Sequence, residues 1–167
     1  MGIGLQRVHS VWSATVMEGK VLRVIVAGSV DWPYPLVVHR ALRMCADTAK
    51  ERGVQLSVAH GANKQGAEAA ADDWTNLASV SKWLTVDPPE RWPVRWTGPC
   101  RRACKPGHRR LNSEGHTVCP SAAFLRTDDM LAPGADLVLA FIAIDKHPEH
   151  CVRLAARRGI TCQEFTP

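Results

Sequence analysis

No apolar run in the chain approaches the roughly 20 residues that a membrane-spanning helix needs, because charges or prolines interrupt every hydrophobic stretch. A spanning helix is therefore excluded and a soluble protein is expected. Residues 1–20 lack a continuous apolar core and a small-residue cleavage pattern, so no secretory signal is expected there. They are expected to form a disordered leader, with Met17 standing just ahead of the first strand-like run. A cytoplasmic, reducing location follows as an expectation, in which the six cysteines are buried, metal-bound or reactive rather than disulfide-linked. The pattern G-x-x-x-x-G-K-[ST] is missing, which removes the P-loop NTPases. No internal repeat is present, which removes the solenoids.

What is present fits one domain over 21–167. A chain of 167 residues buries roughly two-thirds of its unfolded surface, enough to stand without disulfides. Apolar β-branched runs alternate with helical periodicity. Strands are expected over 21–27, 54–59, 79–86, 136–142 and 160–165, and helices over 36–52, 64–77, 122–131 and 149–158. Gly53 and Gly159 follow two of these helices at the position where a left-handed cap suits glycine. Alternation of this kind predicts an α/β fold: a Rossmann-like parallel sheet of about five strands with helices on both faces. Ligands of such sheets collect at the carboxyl ends of the strands.

Two glycine turns are expected to meet at those ends. Ala27-Gly28-Ser29-Val30-Asp31-Trp32 follows the first strand, and His60-Gly61-Ala62-Asn63-Lys64-Gln65-Gly66-Ala67-Glu68 follows the second. Glycine lets backbone N–H groups approach an anion, and the helix behind adds a partial positive charge. The same glycines also serve ordinary βα turns. Together with Gly134-Ala135-Asp136 and the apolar run to Phe141, these segments resemble the SLOG superfamily, in its YspA/YpsA-like branch. That superfamily includes the cytokinin-activating phosphoribohydrolases and the DNA-processing protein A fold. The resemblance spans about 22–165. It implies a Rossmann-like fold, a pocket for a nucleotide or nucleotide-derived ligand, and a homodimer. Carried over by position, the pocket uses Gly28, Ser29, Asp31, Gly61, Gly66 and Glu68, with His60 at the second turn.

Three departures bear on activity. Val30 stands where relatives carry a basic residue, and Glu68 where they carry Asp. The turn over 142–150 has no glycine, so the family's phosphate turn after that strand is missing, leaving Lys146 or His150 to meet a phosphate. The phosphoribohydrolase motif is absent and strong catalysis is not expected. An N-glycoside-cleaving hydrolase is the enzymatic alternative, with Asp31 or Glu68 as acid/base.

The segment 87–121 loses periodicity, and a loop of that length implies function or a local tether. Cys100-x-x-x-Cys104-x-x-x-His108 is followed by His116-x-x-Cys119. Cys100, Cys104, His108 and Cys119 form a candidate tetrahedral zinc set, with His116 as the substitute for His108. Zinc would supply the ordering free energy that a polar loop cannot draw from burial. An unliganded basic loop and a redox pair are the alternatives. A catalytic zinc is disfavoured, since no Glu stands at a hydrolase spacing from the histidines. No acid falls between Arg91 and Arg110, and the net charge is +5. Trp83, Trp92 and Trp96 interleave with those arginines, so nucleic acid is an alternative partner. Anchoring of the loop to the domain is the plainer role for the same tryptophans.

Overall fold

The computed structural model describes residues 21–101 and 104–167. The expected leader and Arg102 lie outside these residues. The chain runs β1 (Val21–Gly28), α1 (Pro35–Glu51), β2 (Gln55–His60), α2 (Gly66–Ser79), β3 (Glu90–Arg91), β4 (Arg110–Leu111), β5 (Thr117–Val118), α3 (Ala122–Leu131), β6 (Leu137–Phe141), α4 (His147–Arg157) and β7 (Thr161–Phe165). Five strands form one parallel sheet in the order β3-β2-β1-β6-β7, and β4 and β5 form a separate antiparallel hairpin. The expected α/β class and parallel sheet are therefore present. Among the described residues no helix is long and apolar enough to cross a membrane.

Side chains alternate across β1 and so build two cores. Leu22, Val24 and Val26 pack with Val38, Leu42 and Cys45 of α1 and with Ala67, Ala70 and Ala71 of α2. Ile25 and Ala27 face the other way, onto Met130 and Leu131 of α3 and Cys151 and Ala155 of α4. The alanines of α2 let that helix sit close on the sheet. Added methyl groups could not be accommodated at its start: a Cβ on Gly28 would collide with Ala67, and one on Gly66 would lie 2.1 Å from the Ser29 carbonyl oxygen, at a φ of +69°.

The third strand is displaced from its expected place at 79–86. Val80 and Trp83 are 80% and 82% exposed there, and the run reaches the core only at Leu84 and Val86. Pairing with β2 starts only at Thr85–Asp87, through Leu56 N–H to Thr85 O at 2.8 Å and Asp87 N–H to Leu56 O at 2.8 Å. Pro88 and Pro89 lack the N–H a ladder requires, and pairing resumes at Glu90–Arg91 opposite Ala59 and His60. Two prolines split the edge strand, which hides its signal.

β3 is fixed from beneath by Arg23 of β1. Its guanidinium donates to both Glu90 carboxylate oxygens, at 2.7 Å in the shortest contact, and to the Met130 carbonyl at 3.1 Å. Ser57 donates to Glu90 at 2.6 Å. Arg23 and Ser57 hold the Glu90 carboxyl down at about 2, against the upward push of partial burial. A carboxyl depressed in the folded state contributes stability that is complete above its unfolded pKa and is lost as pH falls through the folded one. Glu90→Gln is therefore expected to lower the melting temperature by roughly 3 °C near neutrality, corresponding to about 1 kcal/mol. The gap between variant and wild type should close as pH falls from 5 towards 2. Equal melting temperatures at pH 7 would show that the ion pair contributes nothing.

Candidate metal centre and adjoining cleft

The segment between β3 and α3 is shaped by turns that converge on four ligand atoms. Lys105-Pro106-Gly107-His108 reverses the chain, with proline presetting the second position and Gly107 at a φ of +73° in the third. The turn brings the His108 ring back over its own start, where Nδ1 lies 2.6 Å from the Lys105 carbonyl oxygen. A carbonyl only accepts, so Nδ1 carries the proton and Nε2 presents a lone pair. Metal-bound histidines are commonly oriented by such a contact. The β4–β5 hairpin then pairs Arg110 with Val118, which returns Cys119 to the side of His108. Asn112 ties the hairpin tip by accepting from the Glu114 and His116 N–H groups at 3.1 and 2.8 Å.

The result is a Cys100, Cys104, His108, Cys119 cluster whose ligand atoms all lie within 4.8 Å of one another. His108 Nε2 is 3.2 Å from both Cys100 Sγ and Cys119 Sγ. A tetrahedral ion bonded to sulfur at about 2.3 Å and nitrogen at about 2.0 Å sets its ligands roughly 3.5–3.8 Å apart, so the cluster is positioned to hold one metal ion. Desolvation raises the Cys100 thiol, but hydrogen bonds from Arg109 and the neighbouring cysteines outweigh it and leave Cys100 below the ordinary thiol range. Burial pushes Cys119 up, as expected for a side chain at the foot of α3. The four expected ligands are thus brought together. His116 is not among them: it sits on the hairpin, 3.5 Å from Glu114.

The side chains expected at the glycine turns make contacts of their own, outside that cluster. Ser29 is fully buried and its hydroxyl is engaged twice, donating to the Asp145 carbonyl at 2.6 Å and accepting from the Ala143 N–H at 2.9 Å. Asp31 accepts from the Ile144 N–H at 3.1 Å and the Asp145 N–H at 3.3 Å. The glycine-free turn after β6 therefore folds onto the first turn and occupies its polar atoms. Lys146 faces Glu149 at 3.8 Å, and His150 packs its ring edge-on to Phe124. His60 accepts the Ala62 N–H on Nδ1 at 3.1 Å, which puts its proton on Nε2, 3.0 Å from Asp72. Burial pushes the imidazole below its ordinary value against the pull of Asp72.

Glu68 is 4% exposed and accepts the Asn63 N–H at 3.1 Å, with Arg126 at 3.9 Å. Burial pushes its carboxyl up, while Arg126 and the N–H groups of Asn63, Gly28 and Gly61 pull it down, and burial prevails. Arg126 lies flat on Gly61, where any Cβ would overlap its guanidinium. It donates to the Trp92 carbonyl at 3.3 Å, and its Nε–H has no acceptor among the described residues. Sequence reasoning missed this residue. Its signal is a lone arginine among Ala122, Thr127, Met130 and Leu131, which form the buried face of α3.

Arg126 forms part of a cleft of about 760 Å³ at the carboxyl ends of β2 and β3. Arg91, Trp92 and Arg95 line it from the strand side, and Cys100 and Cys119 bring the Cys/His cluster into its wall. Neither Asp31 nor Glu68 lines it. Compared with protein-family models, curated proteins and solved structures, the chain matches none.

If the four-ligand cluster is the metal centre, His108→Ala and Cys119→Ser should each abolish stoichiometric metal retention after dialysis, and His116→Ala should leave it intact. Metal content by elemental analysis decides this; loss of metal in His116→Ala would place the hairpin histidine in the site instead.

Proposed function

We propose that the chain is a zinc-stabilised binding module for a nucleotide or nucleotide derivative, acting as a sensor or carrier without strong catalysis. The observation that carries this reading is the cleft, walled on one side by the metal cluster and on the other by Arg126, Arg91 and Trp92. Its volume suits a ligand of nucleotide size. Arginine forks match phosphate oxygens, and an indole offers a face for a base. Three thiolates and one imidazole favour zinc over hard cations such as magnesium or calcium. The SLOG resemblance of the turns around Gly28, Gly61 and Gly66 points to the same ligand class. The commitment of Asp31 and Glu68 to backbone N–H groups argues against their use as acid and base.

Native mass spectrometry with metal analysis on one sample is expected to show one zinc per chain. A thermal-shift panel of nucleotides should then raise the melting temperature selectively, by several degrees at a ligand concentration 100-fold above Kd, where stabilisation is about 2.7 kcal/mol. Gly61→Asp, which sets a carboxylate against Arg126 in the cleft, should remove the response. Failure of every nucleotide, together with single-stranded nucleic-acid binding that weakens steeply with salt, would move the function to the Arg/Trp-rich loop as a nucleic-acid interface.

A further inference from the structure

Four arginines line the cleft, and the fold neutralises them unequally. Arg91 is clamped by Asp72 at 2.6 Å, and Arg101 pairs with Asp129. Arg126 stands in front of the Glu68 carboxylate. The Arg95 side chain has no hydrogen-bond or ion-pair partner among the described residues, although it lines the same cleft.

The backbone that carries Arg95 is firmly held. Gly98 N–H donates to the Arg95 carbonyl at 3.1 Å, closing a tight turn. A Cβ on Gly98 would already lie 3.1 Å from Arg95 Cβ. Cys119 N–H donates to the Trp96 carbonyl at 2.9 Å, and Arg109 donates to the Gly98 carbonyl. The 95–98 turn is thus tied to one metal ligand, Cys119, and ends two residues before another, Cys100. An unpaired cation on a metal-braced turn at a cleft rim is placed to receive a second negative group once the first is held deeper in.

We infer that Arg95 is a specificity-determining residue, positioned by the metal centre, which binds the outer phosphate of a diphosphorylated ligand and makes the cleft prefer a diphosphate to a monophosphate. The inference rests on the cleft taking a nucleotide-type ligand. Loss of one charge-assisted hydrogen bond to phosphate corresponds to about tenfold or more in affinity.

The test is isothermal titration of the zinc-loaded full chain with four probes: inorganic phosphate, inorganic pyrophosphate, AMP and ADP. ADP is expected to bind about tenfold tighter than AMP, and pyrophosphate about tenfold tighter than phosphate. Arg95→Gln should abolish both preferences while AMP affinity and zinc content stay at wild-type values. Chelation of the metal should abolish the preferences as well. Arg43→Gln, on the exposed side of α1, should change nothing. Equal affinity for the mono- and diphosphates, or a preference that survives in Arg95→Gln, overturns the role of Arg95 and leaves nucleotide binding standing. An Arg95-dependent preference for pyrophosphate with no binding of AMP or ADP keeps the anion subsite and overturns the nucleotide reading. Absence of binding by all four probes overturns both.

Discussion

Among the described residues between β3 and α3, over 92–121, only Cys119 is buried. A segment with so little apolar contact cannot recover its ordering entropy, of order 1–2 kcal/mol per residue for the backbone alone, from the hydrophobic effect. Its shape is set instead by the four ligand atoms that meet at His108. The Lys105–His108 turn, the β4–β5 hairpin and the Trp96–Cys119 contact all end on that cluster, so each local fold is useful only because the others bring a ligand to the same point. The wall of the cleft, the placement of Arg95 and the approach to α3 inherit their geometry from this one constraint.

The second determinant is the way the strand ends are used. In an open parallel sheet the crevice beside the central strand is the usual ligand site, and here it lies between β1 and β6. The turn after β6 is held against it, because Ser29 and Asp31 accept from the backbone N–H groups of Ala143, Ile144 and Asp145. The cleft lies on the β2–β3 side. There the short β3 leaves the sheet edge uncovered and the segment carrying the Cys/His cluster can lean over it. The Arg23–Glu90 pair matters for the same reason: it seats β3 at the floor of the cleft, one residue from Arg91 and two from Trp92.

The elements with a continuous apolar signal were legible in the sequence. β1, β2, β6 and the four helices fall within a residue or two of their expected bounds, since burial on both faces writes a mostly apolar run and glycines punctuate several of the ends. The convergence of Cys100, Cys104, His108 and Cys119 was legible too, because soft ligands at close spacing have few other reasons to cluster. What could not be read was long-range. The edge strand carries two residues and two prolines, too little for any periodicity. The engagement of Ser29 and Asp31 depends on a turn more than a hundred positions away. Arg126 looks like any helical arginine until the fold lays it on Gly61, and only then does the glycine's lack of a side chain acquire its second meaning, as room for a guanidinium.

The metal and the cleft share Cys100 and Cys119, and this fixes how their occupancies relate in the proposed reading. A ligand that contacts the ordered 95–98 turn binds the metal-loaded chain more tightly than the stripped one. By thermodynamic linkage the same factor must then raise the affinity for the metal when ligand is bound. A tenfold preference in one direction is a tenfold preference in the other, or about 1.4 kcal/mol of coupling. A metal held at this cluster would thereby be part of the ligand's own binding equilibrium, through two shared side chains and without any contact between metal and ligand.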